Sequence, residues 1–167
     1  MVRGMLGPVP QPSPKDRFIT VYGRKPVLEA LADPALDVDK VIVADNAMYG
    51  VYLDGMTILH MGDAGHLPAP EQIRFLADQV DILLALVGGP PTITLDDLDR
   101  FIAAVKPRLV IPMHYHNPRG VLSILPVTAY TDRYPAEQVT WRETSEIEVT
   151  PDTLPQMMEI VVLQQSR

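Results

Sequence analysis

The sequence predicts an α/β domain, a layered mixed sheet with helices packed against it, and three observations carry that prediction. From residue 49 onward, short apolar runs bounded by Gly, Pro and Asp alternate with amphipathic stretches, in the order β-β-α-β-α-β and then β-β. The runs "DILLALV" and "RLVIPMHY" are continuously apolar, the pattern of strands buried on both faces of a parallel or mixed sheet. Between them, in "LDDLDRFIAAV", Leu95, Leu98, Phe101, Ile102 and Val105 fall on one face of a helix.

Each element has a local reason. The opening "MVRGMLGPVPQPSPKDR" carries Pro8, Pro10, Pro12 and Pro14, which favour an extended, solvated chain, so residues 1–17 are expected to be a disordered tail. Residues 18–47 read as a short β-α-β segment: a strand from Phe18 to Tyr22, a helix from Pro26 to Leu31 and a strand from Lys40 to Ala44. Pro26 suits the first helical turn, where its missing N–H costs little. Residues 48–167 form the main domain. There "VYLDG" and "TILHMGD" are strands, a helix begins near Pro70, "DILLALV" is a strand and "GGPPTIT" a turn. Thr94 is the expected N-cap of the next helix, with Asp96 and Asp97 favourably placed at its positive end. The strand "RLVIPMHY" follows, and the tail "VTWRETSEIEVTPDTLPQMMEIVVL" reads as two or more strands separated by turns.

Bulk properties remove whole classes of function. The chain has 167 residues, enough for one medium domain with a core and a small appendage. A formal net charge of −7 argues against a broad nucleic-acid surface, because phosphate binding needs clustered Lys and Arg. Arg24 and Lys25 accordingly read as a solvated turn and not as an RNA contact. With no cysteine, disulfides, thiolate-bound zinc and thiol nucleophiles are excluded. No run of about 18 apolar residues and no signal-like N-terminus is present, so a cytoplasmic protein without a membrane partner is expected. Neither a phosphate-cradling G-x-x-x-x-G-K-[ST] loop nor a G-x-S-x-G nucleophile elbow occurs.

What remains gathers at strand ends, where α/β sheets bind their ligands. Asp63 and His66 follow "TILHM", Gly88 and Gly89 follow "DILLALV", and His114 and His116 close "RLVIPM". Imidazole and carboxylate are the ligand set for zinc, iron or manganese when thiolates are absent. In an extended segment His60 and Asp63, three apart, point to opposite faces, so His60 is expected to turn away from the site. His116 is the weaker candidate of its pair, since one of two histidines must leave the strand end.

The "HxGDxGH" strand end, the "DILLALVGG" strand and the "KPRLVIPMHY" strand, in that order, resemble the second half of metallo-β-lactamase-fold metal-dependent hydrolases over residues 49–163. The resemblance implies half of an αββα sandwich. It also implies that Asp63 bridges two metal ions and that His114 binds the second. His66, beside the bridging aspartate, becomes the candidate catalytic residue and general acid. Zinc or another divalent metal, manganese or iron, would be the cofactor. The reaction implied is hydrolysis of an ester, lactone, phosphodiester or amide in a small-molecule substrate. The family's HxHxDH loop is absent, because no histidine precedes His60. The chain is thus expected to be a truncated or chimeric protein of that fold, its metal site completed by self-association, and a homo-oligomer is expected because half a sandwich leaves a sheet face uncovered. "VYGRKPVLEAL", within residues 18–46, resembles the start of the substrate-binding domain of SPOUT-type 2′-O-ribose RNA methyltransferases. That resemblance supplies the alternative, a non-catalytic interaction or RNA-contact module made by fusion.

Overall fold

A computed structural model describes residues 48–118 and 120–165. The tail expected over 1–17 and the β-α-β segment expected over 18–47 lie outside the described residues.

The chain begins this region with a hairpin of β1 (Tyr49–Leu53) and β2 (Met56–His60). Its two-residue loop is Asp54-Gly55, with φ of 48° and 89°, the left-handed pair that matches the twist of antiparallel strands. Helix α1 (Pro70–Leu76) starts on a proline, and the Gln72 side chain accepts from the Ala69 N–H at 3.0 Å, satisfying one free donor at the helix start. Strand β3 (Ile82–Leu86) leads to α2 (Leu95–Val105), where Thr94 Oγ1 accepts from the Asp97 N–H at 3.2 Å as the expected cap. Strand β4 (Leu109–Met113), the one-turn helix α3 (Thr128–Thr131), a 3-10 turn (Ala136–Gln138), β5 (Val139–Trp141) and β6 (Glu159–Val162) complete the order.

The six strands form one mixed sheet in the order β1-β2-β3-β4-β6-β5, antiparallel only at β1–β2. The fold class expected from the sequence is therefore the one observed. Because β2, β3 and β4 run parallel, their carboxyl ends lie side by side. The opposite ends are tied by Asp81, whose carboxylate accepts from the Thr57 N–H at 2.8 Å and whose carbonyl accepts from Arg108 and Leu109, both at 2.9 Å. Pro112 stands in a central strand, which a missing donor normally forbids. It is tolerated because β6 pairs only with Leu109 and Val110, leaving Pro112 beyond that ladder.

The two sheet faces are covered differently. On one, Leu59, Leu83, Ala85, Val110 and Ile160 pack with Leu98, Phe101, Ile102 and Val105 of α2, all buried. The stripe read from the sequence is thus the stripe that docks. Arg133 closes this layer from outside by holding Asp96 and Asp99, and the Tyr134 hydroxyl donates to Asp99 at 2.9 Å. On the other face, Met56, Ile82, Leu109 and Val161 are covered by Leu154, with Ile147 and Val149 at the margin, from a stretch without helix or strand. Arg108 fastens that stretch by donating to the Pro155 and Leu154 carbonyls at 2.7 and 2.9 Å. The tail therefore gives two strands, β5 and β6, and a sheet cover between them. No described helix is long and apolar enough to cross a membrane.

Candidate functional site

Each of the three parallel strands β2, β3 and β4 is followed by a backbone that turns into the left-handed region: Gly62 at φ 57°, Gly89 at 68° and His114 at 52°. Two of these are glycines, for which that conformation is free of strain. His114 is not, and such a residue costs of order 1–3 kcal/mol unless its surroundings hold it there. The turn also ends β4 at Met113, so both His114 and His116 leave the strand that the sequence pattern carries on to Tyr115.

The three loops are joined by their backbones. The Ile93 N–H donates to the Ala64 carbonyl at 2.8 Å, linking the loop after β2 to the one after β3. The Val87 N–H donates to Met113 at 3.1 Å, and the Leu125 N–H to Gly88 at 2.8 Å, linking the loops after β3 and β4. Gly88 is so close to β4 that a side chain there would put its Cβ 2.1 Å from the His114 carbonyl oxygen. Thr92 closes the Gly-rich turn by donating from its hydroxyl to the Gly89 carbonyl at 2.8 Å.

On this platform the predicted residues take different positions. Asp63 is exposed at the tip of its turn, and His66 is exposed three residues on. His114 is half-buried, with its Nδ1 shielded from solvent and without a hydrogen-bond partner. His116 is exposed. His60 is half-buried, its ring edge-on to Tyr49 with centroids 6.3 Å apart, and its Nδ1 accepts from the Gly62 N–H at 2.8 Å. Burial lowers the His60 pKa below its ordinary value, and the nearby Asp63 carboxylate works against that shift. His60 therefore lies within electrostatic reach of Asp63, although the strand alternation had set them on opposite faces.

The resemblance drawn from the sequence implies a divalent ion, and the described residues test the fit. The buried, unpartnered Nδ1 of His114 is the kind of atom that ligates a metal, and Asp63 follows the end of β2, one strand beyond β3 from His114. Among the described residues, however, no three His, Asp or Glu side chains gather closely enough to hold an ion. The described residues alone do not build a metal shell. Beside His114 lies an open depression of about 520 Å³, lined also by Met113, Tyr115, Ser145, Glu146 and Gln164. Nothing in the sequence around Glu146 singles it out. Only the return of the chain past β6, with the Gln164 N–H donating to Thr144 at 2.9 Å, brings it there.

Comparison with known proteins agrees with the fold. Residues 28–114, just over half of the chain, match the family described as "Beta-lactamase superfamily domain". A UPF0173 metal-dependent hydrolase of Pyrococcus furiosus is 35% identical over 77 residues, 46% of this chain and 34% of that protein. Its counterpart in Thermoplasma acidophilum is 38% identical over 73 residues, 44% of this chain and 32% of that protein, and one in Carboxydothermus hydrogenoformans is 41% identical over 64 residues, 37% and 27% respectively. The chain thus spans about a third of the length of these curated relatives. A crystal structure from Thermotoga maritima, of a candidate Zn-dependent hydrolase of the metallo-β-lactamase superfamily, superposes with a TM-score of 0.60 at 22% identity, over 77% of this chain and 70% of that one. The family match begins at residue 28, inside the stretch that resembles a methyltransferase, and none of these findings supports that resemblance. By the span of that match, the chain belongs to the β-lactamase superfamily domain family.

Proposed function

We propose that this chain carries the second half of a metal-dependent hydrolase site, with Asp63 and His114 as metal ligands and His66 as the candidate general acid on the substrate side. The observation that carries the reading is the buried, unpartnered Nδ1 of His114, held at a left-handed strand end on the same edge of the sheet as Asp63's loop, with the loop after β3 between them. A polar atom removed from water without a partner costs about 1–3 kcal/mol, and a ligand that accepts its lone pair removes that cost. The remaining donors would come from outside the described residues, either elsewhere in the chain or from a second copy of it. Zinc, manganese or iron suits an imidazole and carboxylate set. The substrate class proposed from the family is an ester, lactone, phosphodiester or amide.

The test is metal binding by the full chain. Zn²⁺ or Mn²⁺ at about 100 times its Kd stabilises a folded protein by about 2.7 kcal/mol. For a chain of this size that is a rise in Tm of roughly 5–10 °C. The rise is expected in the wild type and is expected to vanish in Asp63→Ala and in His114→Ala. Light scattering alongside should show a mass above the 18.5 kDa of one chain. A wild type whose Tm ignores both metals refutes the reading, and salt-sensitive binding of structured RNA would favour the non-catalytic alternative.

A further inference from the structure

We propose that His60 is a positioning residue, whose Nδ1 accepts the Gly62 N–H and so locks the turn that delivers Asp63 from the end of β2. This rests on the reading of Asp63 as a ligand. The 2.8 Å bond runs from the amide of one residue to the side chain two residues earlier. That is the geometry by which Asn and Asp side chains fix a turn, here made by an imidazole.

The surrounding bonds show what the lock adds. The turn itself is closed by the Ala64 N–H donating to the Met61 carbonyl at 3.2 Å, and it leaves the Gly62 N–H to be satisfied elsewhere. Ala64 is anchored on the far side by the Ile93 N–H at 2.8 Å, and Met61 on the near side by its N–H to the Leu84 carbonyl at 3.2 Å. Between those anchors, and among the described residues, the His60 ring fastens Gly62, at φ 57°, and with it the exposed Asp63. That ring is itself fixed, half-buried and edge-on to Tyr49. Since Nδ1 is the acceptor, the proton of the neutral ring sits on Nε2. A carboxylate held in one place binds a metal without first losing its freedom, and supporting bonds of this kind commonly change metal affinity by about 10–100-fold.

The experiment compares Zn²⁺ affinity by titration calorimetry, and Gly62 amide hydrogen exchange by NMR, in the full wild-type chain, His60→Ala, His60→Asn and Asp63→Ala. Asn presents an acceptor to the same N–H, whereas Ala removes it. Expected are a loss of at least tenfold in both Zn²⁺ affinity and Gly62 protection in His60→Ala, and recovery of both to within about threefold in His60→Asn. If Asp63→Ala weakens Zn²⁺ binding and His60→Ala does not, the positioning role is overturned while the proposed function stands. A loss in His60→Ala that His60→Asn fails to restore also overturns it, since packing of the ring would then be the cause. If Asp63→Ala leaves Zn²⁺ binding unchanged, the proposed function falls, and the role of His60 falls with it.

Discussion

Gly88→Ala is the substitution for which the structure gives the sharpest number. The new Cβ would lie 2.1 Å from the His114 carbonyl oxygen, 3.0 Å from Ile124 Cδ1 and 3.2 Å from the His114 carbonyl carbon. The isoleucine methyl is the end of a side chain and moves at small cost. The carbonyl is backbone, and restoring an ordinary separation means opening β3 from β4 by about 1 Å at their carboxyl ends, in an interior that resists compression. Adding a methyl to a packed interior typically costs about 1–3 kcal/mol. A backbone clash of this depth belongs at the upper end, so a fall in Tm of roughly 6–12 °C is expected. The displaced residue is the candidate ligand, so Zn²⁺ affinity should fall as well. Gly50→Ala is the matched control, because nothing lies within 4 Å of the Cβ it would add. Thermal unfolding followed by circular dichroism, with the control beside it, reads the difference. Gly88→Ala melting within about 2 °C of Gly50→Ala would refute the close approach of β3 to His114 on which the site geometry depends.

Two further outcomes test the core and the titration behaviour. Phe101 is fully buried on the α2 stripe, so Phe101→Ala is expected to cost about 3–5 kcal/mol, read as a lower denaturant midpoint at unchanged slope; a cost under about 1 kcal/mol would deny that α2 packs on the sheet. His60 has a folded-state pKa below its ordinary value of 6.5, chiefly through burial. The unfolded chain then takes up its proton first as pH falls, so this contribution to stability is complete above about pH 6.5 and is lost as pH drops through the lower folded-state value. Tm should therefore decline on acidification below neutrality, and His60→Asn, which keeps an acceptor but cannot titrate, should flatten that decline.

Helix α2 was legible from the sequence down to its cap, because Thr94, the first-turn aspartates and the apolar stripe are local signals that the tertiary structure had no reason to override. The hairpin and the continuous strands were legible for the same reason. Strand β4 was legible only to Met113. The strand ends before His114, whose carbonyl lies against Gly88, a contact between residues 26 apart in sequence that local pattern does not encode. His60 shows the same boundary. Strand alternation turns its ring away from Asp63, but alternation ceases where the turn begins, and the imidazole folds back onto the Gly62 amide. Glu146 carried no signal at all.

The sequence by itself determined which side chains this protein can offer a ligand, imidazole and carboxylate with no thiolate, and the placing of Asp63 and His114 at strand ends. Side-chain type and hydrophobic period are properties of the chain before it folds. Only the tertiary structure decided that the loops after β2, β3 and β4 are bonded into one platform, that His114 keeps a buried, unpartnered nitrogen there, and that the described residues bring no three ligands together. Those outcomes rest on backbone separations of a few ångströms between distant segments, which residue type and spacing do not encode.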